Sequence, residues 1–353
     1  MAPEKPAPFA GTTDSSRKDM MHTFAPVSPP AWGQAAKTAA AVLTSIDAWS
    51  DNAALGALVS CFGGRVPDGD TGQRLGWLDE FSARHWDFRG GQERNLARSA
   101  EFDAETTSLI LDVAAALGMT SSTPPTRRSY THLLILGGLV RACLLRPRFA
   151  ADLLNAGLAV GSVSALSAYR PLLGDEIELV EALGQSGKTN EMEVMEAGLT
   201  AALELGQPVD EERHEEPGAE FATALVRTWR AGELPVKLVI APSPEPTIRR
   251  ANTADTYAYW AGSCVHLGPG DSVLLVTSSI YLPYQHCDAV RMLALPHGCS
   301  VETVGIDFSD PGLGALRQSF TPANYLQEIR SAIRGVHALH TAAASMPTDT
   351  RRG

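Results

Sequence analysis

Between Thr131 and Arg148 the chain reads THLLILGGLVRACLLRPR. An apolar run stops on Gly137 and Gly138, and Arg141, Arg146 and Arg148 follow closely. Glycines let a backbone come near a ligand and present its N–H groups. A helix starting after them adds partial positive charge. Arg141 would supply a planar fork for a phosphate or carboxylate. The plainer reading is a tight strand-to-helix turn with Arg141 on the surface. The stretch is neither a GxGxxG fingerprint nor a Walker loop.

Three further loops carry residue types suited to a polar ligand. Ser162, Ser164, Ser167, Tyr169 and Arg170 follow a second apolar segment. The stretch SPEPTIRRANTADT holds Glu245, Arg249, Arg250, Asn252 and Thr253 before a helical pattern. Asn252 or Thr253 would cap that helix, a role compatible with anion binding next to it. The stretch VTSSIYLPYQHCD places Thr277, Ser278 and Ser279 at a strand end, then Tyr281, Tyr284 and His286. His286 has the chemistry of a general base near neutral pH, against the plainer reading of a half-buried histidine in a helix's first turn.

Glu191, Glu193 and Glu196 lie near the start of another helix. Glu193 and Glu196 share a face and could act as an acid–base pair; a solvated first turn favoured by the helix dipole is the plainer account. No HExxH or DxDxDG spacing supports a metal. Five scattered cysteines with no CxxC spacing argue against a disulfide framework or zinc site and fit a reducing compartment. Cys287 reads as a small core residue.

The elements that must position these residues alternate. HLLILGG, AVGSVSALSA, VKLVIAPS, SVLLVTSS and SVETVGID read as strands, the first as one buried on both faces. RFAADLLNAG, TNEMEVMEAGLTAALELG, NTADTYAYWAGSCV, PYQHCDAVRMLALPHG and PANYLQEIRSAIRGVHALHTA read as helices. Such alternation predicts a Rossmann-like α/β fold, a mostly parallel sheet with helices on both faces. Ligands of open parallel sheets sit beyond the carboxyl ends of the strands, where all four loops fall.

Residues 1–30 are Pro-rich without apolar periodicity and read as a disordered tail, as do residues 343–353. Residues 31–124 read as a helical N-terminal segment and residues 125–342 as the α/β domain. Within the former, HWDFRGGQERN could form a lid through Trp86, Arg89, Glu93 and Arg94, or an Arg/Glu network joining helices to sheet. A net charge of −11 gives no general basic footprint for nucleic acid or a membrane surface. No apolar run reaches the ~18 residues of a membrane span, and the first thirty residues lack a signal-peptide core. The expected location is cytoplasmic.

Taken in order, LLILGG with Arg141, the Ser-containing loop, TNEMEVM, RRANTADTYAYW and VLLVTSSIYLPYQ resemble the SanA/ElyC/YdcF-like family, also called domain of unknown function 218, and its cytoplasmic YdcF branch in particular. In that resemblance Glu191 or Glu193 takes the family's acidic position. Asn252 and Thr253 match its Asn-Thr pair, and Thr277 and Ser278 its Thr-Ser pair. The chain departs from the pattern at SVSALSA, which lacks the family's glycines, at Tyr281 in place of its histidine, and at Tyr284 in place of its arginine. The resemblance implies a Rossmann-like sheet and, for the YdcF branch, S-adenosylmethionine binding.

These readings predict a small-molecule enzyme, a transferase, holding a nucleotide-containing ligand such as S-adenosylmethionine over the strand ends. Gly137 and Gly138 would permit close approach, and Glu191 or Glu193 would take the ribose. Arg141, Asn252 and Thr277 would hold the anionic end, with Ser164, Arg250, Thr253, Ser278 and Tyr281 lining the site. Glu193, His286 and Arg141 are the candidate catalytic groups. Two alternatives stand beside it. One is an acyl or aminoacyl transferase, or phosphoester hydrolase, using a phosphorylated or tRNA-linked donor within an arginine rim. The other is a ligand-binding protein without chemistry. A homodimer is the expected assembly.

Overall fold

The structure is a computed structural model that describes residues 24–33, 38–88, 90, 100–217, 219 and 221–346. Among these residues, α1 (Ala39–Ser50), α2 (Ala53–Cys61), α3 (Thr71–His85) and α4 (Ala104–Ala116) come first. There follow β1 (Ser129–Leu136), α5 (Val140–Asn155), β2 (Ala159–Ser167), α6 (Asp175–Ala182) and α7 (Glu191–Ala202). Next are β3 (Asp210–His214), β4 (Ala224–Ala231), β5 (Leu234–Ile240) and α8 (Thr253–Tyr259). The chain closes with β6 (Ser272–Ser278), α9 (Leu282–Ala289), α10 (Leu295–His297), β7 (Ser300–Ile306) and α11 (Pro322–Ala344).

The strands form one sheet in the order β3-β4-β5-β2-β1-β6-β7. β5, β2, β1, β6 and β7 run parallel; β3 and β4 are antiparallel additions at one edge. The fold is therefore α/β with a mostly parallel sheet and a helical N-terminal region. The chain runs outward from β1 to β2 and β5, then returns to place β6 on the other side of β1. That reversal between β1 and β6 is the topological switch point where ligands of such sheets bind.

The period-two geometry of strands sends alternate side chains to opposite faces. Leu133 and Ile135 of β1 and Leu274 and Val276 of β6 join a core with α5 and α7. Leu134, Leu136, Val273 and Leu275 join the other core, with α8, α9 and α11. Hence both faces are covered and these strands read as unbroken apolar runs. The same second core takes in Trp49, Leu55, Leu75 and Ile110 of α1 to α4, so the N-terminal helices share a continuous interior with the sheet. Each such fully buried aliphatic side chain contributes about 1.5–3 kcal/mol.

Residues 24–33 lie within or just beyond the stretch that reads as a disordered tail, yet they pack on the protein. Val27 N donates to Ala116 O at 2.8 Å, and Gly33 N to Val301 O at 2.8 Å. At the other end α11 runs to Ala344. Among the described residues, no helix is long and apolar enough to cross a membrane.

Candidate functional site

A cleft of about 660 Å³ opens beyond the carboxyl ends of β1, β2 and β5. Its floor is the Gly137–Gly138 turn with Ser167, Arg170 and Glu191; its lip is Ile248 to Thr253, before α8; and Gln285 of α9 closes one side. Nine of the residues singled out from the sequence meet here: Gly137, Gly138, Ser167, Arg170, Glu191, Arg249, Arg250, Asn252 and Thr253.

Arg170, one residue type among several in its loop by sequence, organises the floor. It is buried, and its guanidinium makes a bidentate pair with Glu176, Nη1 to Oε2 at 2.7 Å and Nη2 to Oε1 at 2.9 Å. Its Nε donates to Oε2 of Glu191 at 3.0 Å, and Nη2 also donates to Gly138 O at 3.2 Å. Burial opposes its charge, but the hydrogen bonds and charges of Glu176 and Glu191 outweigh that and push its pKa up. The guanidinium is thus a permanent cation pinned under the turn.

Glu191 is the first residue of α7, with Asn190 as the cap. It is buried, its Oε1 lies 3.5 Å from Ser167 Oγ, and it lines the cleft. Burial raises its pKa above the ordinary carboxylate value, against the pull of Arg170. The pairing and the upward shift are compatible because two carboxylates share one guanidinium. Glu176 takes the bidentate face and adds its own repulsion, so Glu191 is only partly compensated. A carboxyl that keeps its proton more readily than usual, beside a cleft, is suited to proton transfer.

A second arginine spans the switch point. Arg146 of α5 is wholly buried. Its Nη1 donates to Leu136 O at 2.8 Å and also to Gly137 O, while Nε and Nη2 reach Ser278 Oγ at 3.2 and 3.0 Å. It ties the end of β1 to the end of β6. Ser278 is thereby a structural partner of Arg146, and Thr277 Oγ1 donates to Oε1 of Gln285; both hydroxyls are buried beneath the cleft rather than in its wall.

At the lip, Asn252 caps α8 and forms a reciprocal capping box with Asp255. Arg249 is held by Asp255 at 2.6 Å and Glu245 at 2.5 Å, and these partners raise its pKa. Arg250 also lines the cleft.

The remaining sequence candidates lie elsewhere. Glu193 is the third residue of α7. It accepts hydrogen bonds from Thr189 N at 2.6 Å and Thr189 Oγ1 at 3.1 Å. Partial burial works against its charge, but those hydrogen bonds win and lower its pKa, so it closes the helix start. His286 is wholly buried between α9 and β7. Its ring bonds Thr303 Oγ1 at 2.9 Å and Pro30 O at 3.0 Å and packs on Trp32. Burial pushes its pKa down to about 4, so it stays neutral where a base would be needed. Ser164 sits inside β2, buried at 1% exposure. Arg141 and Tyr281 line a different, smaller cavity. Trp86 is a core residue wedged between Phe62 and Phe81, with ring centroids 5.7 and 5.6 Å apart, and is no part of a lid. Arg89, Glu93 and Arg94 lie outside the described residues.

The family model for the Rv3785 N-terminal domain matches residues 33–118, the region of α1 to α4. "Uncharacterized protein Rv3785" of Mycobacterium tuberculosis is 36% identical over 344 residues, covering 89% of this chain and 94% of its own length. "Uncharacterized protein Mb3814" of Mycobacterium bovis matches to the same extent. The chain belongs to the Rv3785 family. This corrects the resemblance to the SanA/ElyC/YdcF-like family, which rested on short motifs at strand ends that any parallel sheet of this kind tends to carry. The glycines, the Thr-Ser pair and the Asn-Thr pair have local structural causes here, namely the packing of Glu191, the anchoring of Arg146 and Gln285, and the cap of α8. No solved structure matches the chain.

Proposed function

We propose that this member of the Rv3785 family is a small-molecule enzyme, a transferase, that binds a nucleotide-containing ligand in the cleft above β1, β2 and β5. The observation that carries the reading is Glu191: a buried, partly compensated carboxyl opening onto a cleft of nucleotide size. A carboxylate there can accept hydrogen bonds from paired ribose hydroxyls, or move a proton during transfer. Arg250 at the lip provides for an anionic group, and the Gly137–Gly138 turn forms the floor. S-adenosylmethionine, with ribose and carboxylate at opposite ends, is the first ligand to test.

A phosphorylated or tRNA-linked donor is the second reading, favoured by the adjacent Arg249 and Arg250 at the mouth. Glu193, His286 and Arg141 have no part in either. A cytoplasmic location goes with both readings, supported by five cysteines that are all free, and a homodimer is the proposed assembly.

The experiment is a thermal shift series with S-adenosylmethionine, S-adenosylhomocysteine, ATP and inorganic phosphate on the wild type, Glu191→Gln and Arg250→Ala, preceded by native mass spectrometry. A ligand at a hundred times its Kd stabilises by about 2.7 kcal/mol, a readable change in Tm. A shift with an adenosine compound that either substitution removes supports the first reading. A shift with phosphate alone moves the weight to the phosphorylated donor. No shift with any of them overturns both.

A further inference from the structure

A second cavity of about 260 Å³ lies on the far side of the Gly138–Leu139 turn, between α5, α6, the single turn Ser279–Tyr281 and α11. It is distinct from the larger cleft, although Leu139 borders both. Its volume falls below the roughly 300–1,000 Å³ of pockets that take drug-sized ligands, so its occupant is compact. Several polar groups of its wall already have partners. Both oxygens of Glu176 accept from Arg170, and Tyr281, Gln327 and Glu328 are engaged by other groups.

The groups that remain for a ligand differ in kind. Arg141, on the first turn of α5, brings donors, and its Nε is buried with no hydrogen-bond acceptor among the described residues. A buried donor without a partner costs free energy that a bound acceptor recovers. Asp175, the exposed first residue of α6, brings a carboxylate that only accepts. Asn324 of α11 uses its Oδ1 on Thr321, accepting from N at 2.9 Å and from Oγ1 at 3.0 Å, so it offers the cavity its amide N–H groups. The side-chain amide of Gln318 can do both. Between these polar groups stand the Phe320 ring and Leu179. An ion of either sign answers one of Arg141 and Asp175 and is opposed by the other. A hydroxyl donates and accepts at once, so a neutral ligand with several hydroxyls answers both without giving up the hydration of a charge. The aromatic ring adds a second condition, a patch of C–H groups to lie on its negative face. A pyranose ring meets both conditions, with hydroxyls around its rim and C–H groups on its face.

We propose that this second cavity binds a neutral monosaccharide, an aldohexose in its pyranose form. Its hydroxyls meet Arg141, Asp175, Gln318 and Asn324, and its C–H face lies on Phe320. Hydrogen bonds to the guanidinium and the carboxylate are charge-assisted and carry most of the recognition. Inverting one hydroxyl takes it away from its partner and leaves a wall group unpaired, so the site distinguishes epimers. The site stands on its own residues and does not depend on what the larger cleft binds.

The test is a saturation-transfer NMR titration of the full chain with D-glucose, D-galactose and D-mannose. Cyclohexanol, which keeps a ring but one hydroxyl, and the charged D-glucuronate and D-glucosamine are the comparison ligands. Saturable binding of at least one hexose is expected, with the strongest transfer to the C–H protons of one ring face. The epimers are expected to differ by about tenfold, and each comparison ligand to bind more weakly than the best hexose. Arg141→Met, Asp175→Ala and Phe320→Leu are each expected to weaken that hexose by about tenfold. Arg148→Ala, which removes an exposed charge elsewhere on α5, leaves it unchanged. Should Arg141→Met fail to fold, Asp175→Ala carries the test, because that residue is exposed. The proposal is overturned if none of the hexoses binds up to about 50 mM, or if the three bind alike. It is equally overturned if a comparison ligand binds as well as the best hexose, or if affinity ignores both Asp175→Ala and Phe320→Leu.

Discussion

Gly137 and Glu191 are in contact across the floor of the cleft: a Cβ added at Gly137 would fall 2.3 Å from Oε1 of Glu191 and 2.7 Å from Leu166 O. The backbone at Gly137 does not have a positive φ, so the glycine is required by proximity rather than by conformation. Gly137→Ala is expected to displace the Glu191 carboxyl or the end of β2, with a cost of about 1–3 kcal/mol. Urea denaturation reads that cost. A variant as stable as the wild type, with unchanged ligand response, would mean that the floor is looser than this contact implies.

Arg170 answers two buried carboxylates. Arg170→Met leaves Glu176 and Glu191 without their cation and is expected to destabilise by about 3–5 kcal/mol. Removing Glu176 as well should recover part of that loss, because the charge left uncompensated is smaller. A cycle of Arg170→Met, Glu176→Gln and the pair is expected to show coupling of about 0.5–3 kcal/mol. Strict additivity would show that the pair acts independently.

Glu191 gives a signed dependence on pH. Its pKa in the folded chain is raised above the ordinary 4.5, chiefly by burial. Its contribution is therefore fully present below pH 4.5 and lost as pH rises through the elevated folded value. Relative to Glu191→Gln, the wild type should lose stability over that rise. Denaturation midpoints of the two proteins, compared pH by pH, should diverge upward from 4.5; parallel curves would refute the shift.

His286 works in the opposite direction. Its pKa falls from 6.5 to about 4 because it is buried. A lowered folded value means stability present above pH 6.5 and lost as pH falls toward 4, since unfolding then takes up a proton. The difference amounts to ~3 kcal/mol. His286→Gln should flatten the acid limb of the stability curve, and an unaltered limb would mean that another group carries it.

How legible all this was differs by element. β1 and β6 are plain in sequence because burial on both faces makes HLLILGG and SVLLVTSS continuous apolar runs. β3 is invisible: Asp210–His214 is an edge strand with every residue exposed, so neither alternation nor hydrophobicity marks it. The cleft's position follows from the loops after parallel strands. The identity of its acid does not, because Glu191 and Glu193 differ only in helical phase after Asn190, and only packing decides which faces inward. Arg170 and Arg146 carried no sequence signal that separates a buried arginine from a solvated one. His286 looked like a base because its partner, the carbonyl of Pro30, is 256 residues away in the chain.

The two free edges of the sheet are guarded by different means. Along β3, Asp210, Glu211 and Glu212 present carboxylates to any strand that would dock there, so a second copy meets like charge. On β7 the one carboxylate, Glu302, is buried and taken up by Thr126 and Tyr130; Gly33 N donates to Val301 O of that strand, and Pro30 O meets the His286 ring beside it. Proteolytic nicking between Phe24 and Gly33 would therefore free the backbone of β7 at Val301, and the trimmed protein would be prone to self-association through β7 while the β3 side stayed inert.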